Sequence, residues 1–284
     1  MSKVDLHLHT TYSDGRMTPS ELVTMCFKKG LEVIAISDHD TTEGIHEAQR
    51  IAQPLGMEIV PSLELGTSLN EVEIHVLGYF ISPEEILFQT ALGNYRDDRV
   101  NRARKIVSKL NGLGISLSWE RVSDIAGDGA IGRPHIAYAL VESGCANNIH
   151  EAFDVYLKHG APGYIPRDLP TPHEAVRMIK ENGGVPVMAH PLFTRSRSDR
   201  RDVPCLNDLV ESLCEEGLKG IEVFYGDYTK VQIETLLEIC RAYQLVPCGG
   251  SDYHATGAED EVMPGTVGPP IEYFSELKSL SNVV

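Results

Sequence analysis

The 284 residues carry 25 Lys and Arg against 41 Asp and Glu, a formal net charge of −16, and 42% are hydrophobic. That length and apolar content suit one large or two modest packed domains, and the acidic balance argues against a broad electrostatic grip on a long nucleic-acid duplex. No window approaches the ~18 uninterrupted apolar residues of a membrane span, and Met1-Ser2-Lys3 runs directly into a strand with no room for a secretory leader, so a cytoplasmic location is expected.

In chain order, Val4-Asp5-Leu6-His7-Leu8-His9-Thr10 alternates apolar and polar side chains with the period of a strand, which puts His7 and His9 on one face. Two imidazoles on one strand face form half of a metal site, although a buried strand can also carry hydrogen-bonded histidines for structural reasons. Asp14 follows in a Gly-containing loop and brings a carboxylate to the same region. Thr18-Pro19-Ser20-Glu21 is a capping box with proline at the first helical position, opening a helix that stops near Gly30. Val33 to Ser37 is an apolar run of strand length ending in Asp38-His39-Asp40, a helix follows through Glu47 to Leu55, and Glu58 to Leu63 is a strand ending in Glu64. Glu73 to Tyr79, with His75, pairs with it through the Asn70 turn.

From Pro83 to about Leu110 the pattern is helical, with Arg96, Arg99, Arg102 and Arg104 close together, and Arg133-Pro134-His135 starts a further helix. Residues 96–166 are expected to form a helical subdomain inserted between residues 1–95 and 167–284. Arg96 to Arg167 holds ten Lys and Arg against eight Asp and Glu, a balance of +2 that sets this surface apart from the rest. Thr171-Pro172-His173-Glu174 caps another helix, Val185 to Ala189 is a strand leading into His190, Gly220 to Phe224 is a strand carrying Glu222, and Leu245 to Ser251 is a strand ending in Asp252-Tyr253-His254. Such alternation implies a parallel sheet covered by helices, with enough units to close a barrel, and catalytic groups gather where barrel strands end. Glu222 matches no ligand motif and reads as structural, and the six cysteines, with no C-x-x-C pair, read as buried thiols.

Nine nitrogen and oxygen ligands without cysteine suit Zn, Mn or Fe in a hydrolytic cluster. The chain resembles the polymerase and histidinol phosphatase (PHP) family through Asp5 to Thr10 with Ser13-Asp14-Gly15, Ser37 to Asp40, Glu64, His75, Ala189-His190-Pro191 and Ser251 to His254. The resemblance implies an α/β fold, a distorted (βα)7 TIM-like barrel with a helical insertion, holding two or three divalent metal ions. It also implies that His7, His9 and Asp252 share one ion with Glu64, which bridges to a second ion held by His75 and His190, and that Asp14, His39 and His254 hold a third and form the catalytic unit. Three such ions and three carboxylates would leave a formal +3 that focuses phosphate, with metal-bound hydroxide near neutrality as the nucleophile.

The implied reaction is hydrolysis of small nucleotide phosphates, such as nucleoside 3′,5′-bisphosphates, or of very short oligonucleotides. Alternatives are a 5′-3′ exoribonuclease on RNA ends, a histidinol-phosphate-type phosphatase, and a nucleotide-binding module without turnover. The insertion would roof the site, with Arg99, Arg133, His135, Tyr164 and Arg195 as substrate contacts. No membrane, long duplex or obligate protein partner is expected.

Overall fold

All seven strands expected from the apolar runs are present in the computed structural model, which describes residues 2–281 apart from 71, 168, 193–204 and 227. They form one sheet in chain order: β1 (Val4–Leu8), β2 (Val33–Ile36), β3 (Glu58–Leu69), β4 (Val72–Tyr79), β5 (Val185–Met188), β6 (Gly220–Tyr225) and β7 (Val246–Gly250). The ends of the sheet meet. Leu8 bridges Tyr253, His9 N–H donates to the Tyr253 carbonyl at 3.0 Å, and Asp252 N–H donates to the His7 carbonyl at 2.9 Å. The result is a nearly closed, distorted barrel. Its parallel order fails at β4, which is antiparallel to both β3 and β5, because the short Asn70 turn reverses the chain where a parallel connection needs a long crossover.

Helices α1 (Pro19–Lys28), α2 (Ile45–Ala52) and α3 (Ile86–Gly112) are followed by α4 (Trp119–Ala126), α5 (Arg133–Glu142), the short α6 (Ile149–Ala152), α7 (Pro172–Glu181), α8 (Leu206–Glu216), α9 (Lys230–Tyr243) and α10 (Ile271–Ser279). The capping boxes of Thr18 with Glu21 and Thr171 with Glu174 are formed as expected, and Thr229 with Gln232 makes a third at α9. Helix α10, with no counterpart in the sequence reading, buries Phe274 and Leu277 among residues of β1 to β5 and β7. Each such side chain contributes about 1.5–3 kcal/mol by leaving water.

Between β4 and β5 the chain builds a second core. Helix α3 crosses residue 96, the expected start of the insertion: its first turns add Phe88 and Leu92 to the barrel cluster, whereas Ala103, Ile106, Val107 and Leu110 join Val122, Ile136, Leu140 and Leu157 in a separate one. Among the described residues no helix is long and apolar enough to cross a membrane.

Candidate metal centre

Side chains from six strands converge at one mouth of the barrel, and Glu64, expected where its strand ends, lies inside β3, which runs on to Leu69 in its ladder with β4. His7 and His9 leave β1, His39 follows β2, Glu64 and His75 lie on β3 and β4, His190 follows β5, and Asp252 and His254 follow β7. His190, at φ 24°, and Asp252, at φ 55°, occupy left-handed backbone conformations where the chain turns out of a strand, the kind of local cost that persists where surrounding structure demands it. At Gly15 the loop returns onto β1, its N–H donating to the Thr10 carbonyl at 3.0 Å, and an added Cβ would lie 2.7 Å from the Thr10 nitrogen. Asp14 is thereby held against the histidines.

The innermost set is His7 Nε2, His9 Nε2, Glu64 Oε2 and Asp252 Oδ1. His7 Nε2 lies 3.3 Å from both carboxylates, and His9 Nε2 lies 3.4 Å from Glu64 and 3.1 Å from Asp252. Ligand atoms about 2.1 Å from one tetrahedral ion are separated by about 3.4 Å, so these spacings are those of a coordination shell. His7 Nε2, His9 Nε2, His39 Nδ1, Asp14 Oδ1 and Asp252 Oδ1 are buried and make no hydrogen bond, an arrangement that costs free energy unless a cation satisfies it. The residues present therefore fit divalent metal ions.

Two further sets overlap the first. His9, Asp14, His39 and His254 place one ligand atom each within 4.8 Å of one another, as do His39, Glu64 and His75. Glu64 faces two ways: Oε2 lies 3.2 Å from His39 Nδ1, while Oε1 lies 2.8 Å from His75 Nδ1 and 2.9 Å from His190 Nε2. A carboxylate so placed suits a bridge between two ions. Burial disfavours charge on Glu64 and Asp14, yet the facing histidines outweigh it and hold both carboxyls well below the usual range. Burial pushes His39 down to about 3, leaving the neutral imidazole that coordination requires.

Further side chains support these from behind, among them Glu222, Asp5 and Tyr225, whose roles the sequence reading missed. Glu222, fully buried, accepts from His7 Nδ1 at 3.0 Å and from His190 N–H at 2.9 Å, which turns His7 Nε2 toward the cluster. Asp5 accepts from Ser251 N–H at 3.0 Å and Gly265 N–H at 3.2 Å and pins β1 to the chain beyond β7. Asp252 Oδ2 accepts from Tyr225 Oη at 2.9 Å, leaving Oδ1 to the cluster. Asp38 accepts from Thr10 N–H, Thr10 Oγ1 and Ser13 Oγ, and so fastens the ligand loop rather than a histidine.

The expected substrate contacts divide. Arg99 Nε donates to buried Asp40 at 2.5 Å. Arg133 pairs with Glu73 and lies over Phe153. His135 is buried and takes the Gly132 N–H on Nδ1 at 2.9 Å, which commits that nitrogen to backbone. Tyr164 packs on Arg102 and His159. Arg195 and the arginines near it lie outside the described residues.

Overlapping His and carboxylate sets at the mouth of a distorted barrel define a candidate metal centre. The chain matches the PHP domain over residues 5–159 and belongs to that family. It is 30% identical to a 3′,5′-nucleoside bisphosphate phosphatase of Chromobacterium violaceum over 90% of this chain and 89% of that one. A 5′-3′ exoribonuclease of Haemophilus influenzae is 31% identical over 89% and 90%. A solved structure assigned as a metal-dependent phosphoesterase of Bifidobacterium adolescentis superposes with a TM-score of 0.89 at 30% identity, covering 98% of this chain and 96% of that one.

Proposed function

We propose that the chain hydrolyses small nucleotide phosphates, such as nucleoside 3′,5′-bisphosphates, or very short oligonucleotides. It is a metal-dependent phosphoester hydrolase of the PHP family. The observation that carries this reading is the set of buried ligand atoms without hydrogen bonds, spaced as a coordination shell. His7, His9, Glu64 and Asp252 would hold one ion, Glu64 with His75 and His190 a second, and Asp14, His39 and His254 a third. Divalent ions supply a hydroxide nucleophile near neutral pH and Lewis-acid charge at the phosphoryl oxygens.

The chain's own groups do the rest. Glu222 fixes the His7 ring, and the Asp252 carbonyl lies 2.8 Å from His254 Nδ1, so that His254 Nε2 faces Asp14 at 3.3 Å. Nε2 is the working atom whether His254 acts as a ligand or protonates the leaving oxygen. The insertion roofs the Asp14 loop: Ala130 N–H donates to the Tyr12 carbonyl at 2.9 Å, and Gly129 packs against the Thr11 and Ser13 carbonyls. We assign residues 96–166 to a subdomain that shelters the reacting groups from water.

RNA ends are the second reading, favoured by the similarity to the Haemophilus exoribonuclease. The test is phosphate release from an aryl phosphate and a nucleotide panel by manganese-loaded and chelated protein. Metal-dependent release is expected, and nucleotide binding without release would refute the enzyme. A structured RNA tens of nucleotides long, degraded at physiological salt while a nucleoside bisphosphate stays intact, would refute the small substrate.

A further inference from the structure

Beside the metal ligands lies a second set of charges that coordination does not use. Four guanidinium groups, from Arg99, Arg102, Arg133 and Arg167, share two carboxylates, Asp40 and Glu73. Two positive charges are thus left without a counter-charge among the described residues. Arg167 has only 4% of its side chain exposed, and its Nε makes no hydrogen bond; Arg102 Nη2 is likewise buried and unpartnered. Burying unmatched cationic N–H groups costs several kcal/mol per charge by order of magnitude, so a site of this kind is built to receive an anion.

The geometry places that anion. Asp40, at φ 54°, accepts from Arg99 Nε at 2.5 Å and Arg167 Nη2 at 3.0 Å on the same oxygen. Both guanidinium heads then lie over Gly66, where an added Cβ would sit 3.3 Å from Arg167 Nη1 and 3.7 Å from Arg99 Nη2. Gly66 pairs directly with His75 and lies two residues beyond Glu64 on the same strand face. Two residues of strand span about 6.7 Å, so the arginine pair is one nucleoside's reach from the carboxylate at the centre of the metal ligands. Any side chain at position 66 would occupy this space.

We propose that Arg99 and Arg167, presented by Asp40, form an anion subsite for a phosphate monoester dianion of the substrate, separate from the phosphate at the metal ligands. The proposal rests on the phosphoesterase reading and adds to it that a substrate bearing two phosphates is selected over one bearing a single phosphate. Asp40 is a positioning residue, turning two guanidinium forks the same way; with its charge counted this group is net +1, and the neighbouring Arg102 and Arg133, which share Glu73, supply the second unbalanced positive charge that a dianion calls for. Arg133, by contrast, is spent on Glu73 and seals the insertion to the barrel.

The subsite is tested without turnover by equilibrium dialysis of labelled orthophosphate against metal-loaded protein. Two phosphates per chain are expected for the wild type and one for Arg167→Met, with Arg167→Lys retaining the second more weakly because it keeps charge and loses the fork. A single phosphate on the wild type, or two on Arg167→Met, overturns the subsite. In kinetics, Arg167→Met and Arg99→Met should lower the ratio of kcat/KM for adenosine 3′,5′-bisphosphate over the adenosine monophosphates about tenfold or more, through KM; an unchanged ratio overturns the selectivity. Two phosphates bound by a wild type that hydrolyses no ester would refute the phosphoesterase reading and leave the subsite standing.

Discussion

Glu222→Gln isolates the role of a carboxylate that touches no candidate metal position. In the native protein its oxygens lie 3.0 and 3.1 Å from His7 Nδ1, and Oε2 also accepts from His190 N–H. Glutamine has the same shape but one acceptor oxygen, so one donor keeps a partner and the other meets an amide NH2. A lost charge-assisted hydrogen bond costs about 1.5–3 kcal/mol, and loss of a partner behind a ligating histidine typically costs about 10- to 100-fold in metal affinity. The two figures agree, because each 1.4 kcal/mol is about tenfold. We expect metal affinity, read by competition with a chromophoric chelator, to fall roughly 30- to 100-fold. The thermal midpoint should fall more in the metal-loaded protein than in the chelated one, because bound ligand stabilises by mass action. Equal destabilisation of both forms with unchanged metal affinity would show that Glu222 only fills space.

Asp14→Ala and His39→Ala should each abolish most activity while the double variant loses little more, as residues serving one ion act as a unit; multiplicative losses in kcat would contradict the shared ion. Gly129→Ala places a Cβ 2.9 Å from the Ser13 carbonyl and against that of Thr11, and should lower stability by about 1–3 kcal/mol together with metal occupancy, measured by denaturant unfolding and elemental analysis. Burial pushes Cys240 up to about 12 and raises Cys26 and Cys248 as well, so at pH 8 these three remain protonated thiols. An aromatic disulfide reagent should therefore spare them until the protein unfolds, while Cys205 reacts, because it is exposed rather than buried as the sequence reading has all six cysteines, with Cys145 and Cys214 half-buried.

The convergence of the candidate ligands was legible because several strand ends carry their chemistry in two or three neighbouring residues: His7 with His9, Asp38 to Asp40, Asp252 to His254. Barrel topology then gathers these short motifs at one mouth without further information. What stayed hidden depends on pairing across long separations. Glu222 lies 215 positions from His7, and Arg167 lies 127 from Asp40; neither strand period nor motif spacing reports which residue faces which across a closed sheet. Arg133 read as a phosphate clamp because its position at the head of α5 was visible, whereas its partner Glu73, on another element, was not. Helix α10 escaped because its apolar face, built on Phe274 and Leu277, is short and follows a loop without a preceding strand.

The seam between β1 and β7 has a consequence for how the protein matures. Asp5 and Ser251, joined across it, are separated by 246 positions, and His7 and His9 face Asp252 over the same line. Contacts between residues so distant in sequence form late, since closing the intervening chain must precede any gain from them. A ribosome-bound chain that has not yet released its seventh strand lacks Asp252 and His254, which leaves the set of His7, His9 and Glu64 and the set of His9, Asp14 and His39 one candidate ligand short each. An ion held between His7, His9 and Asp252 would join the two ends of the sheet, so its capture would report a completed barrel.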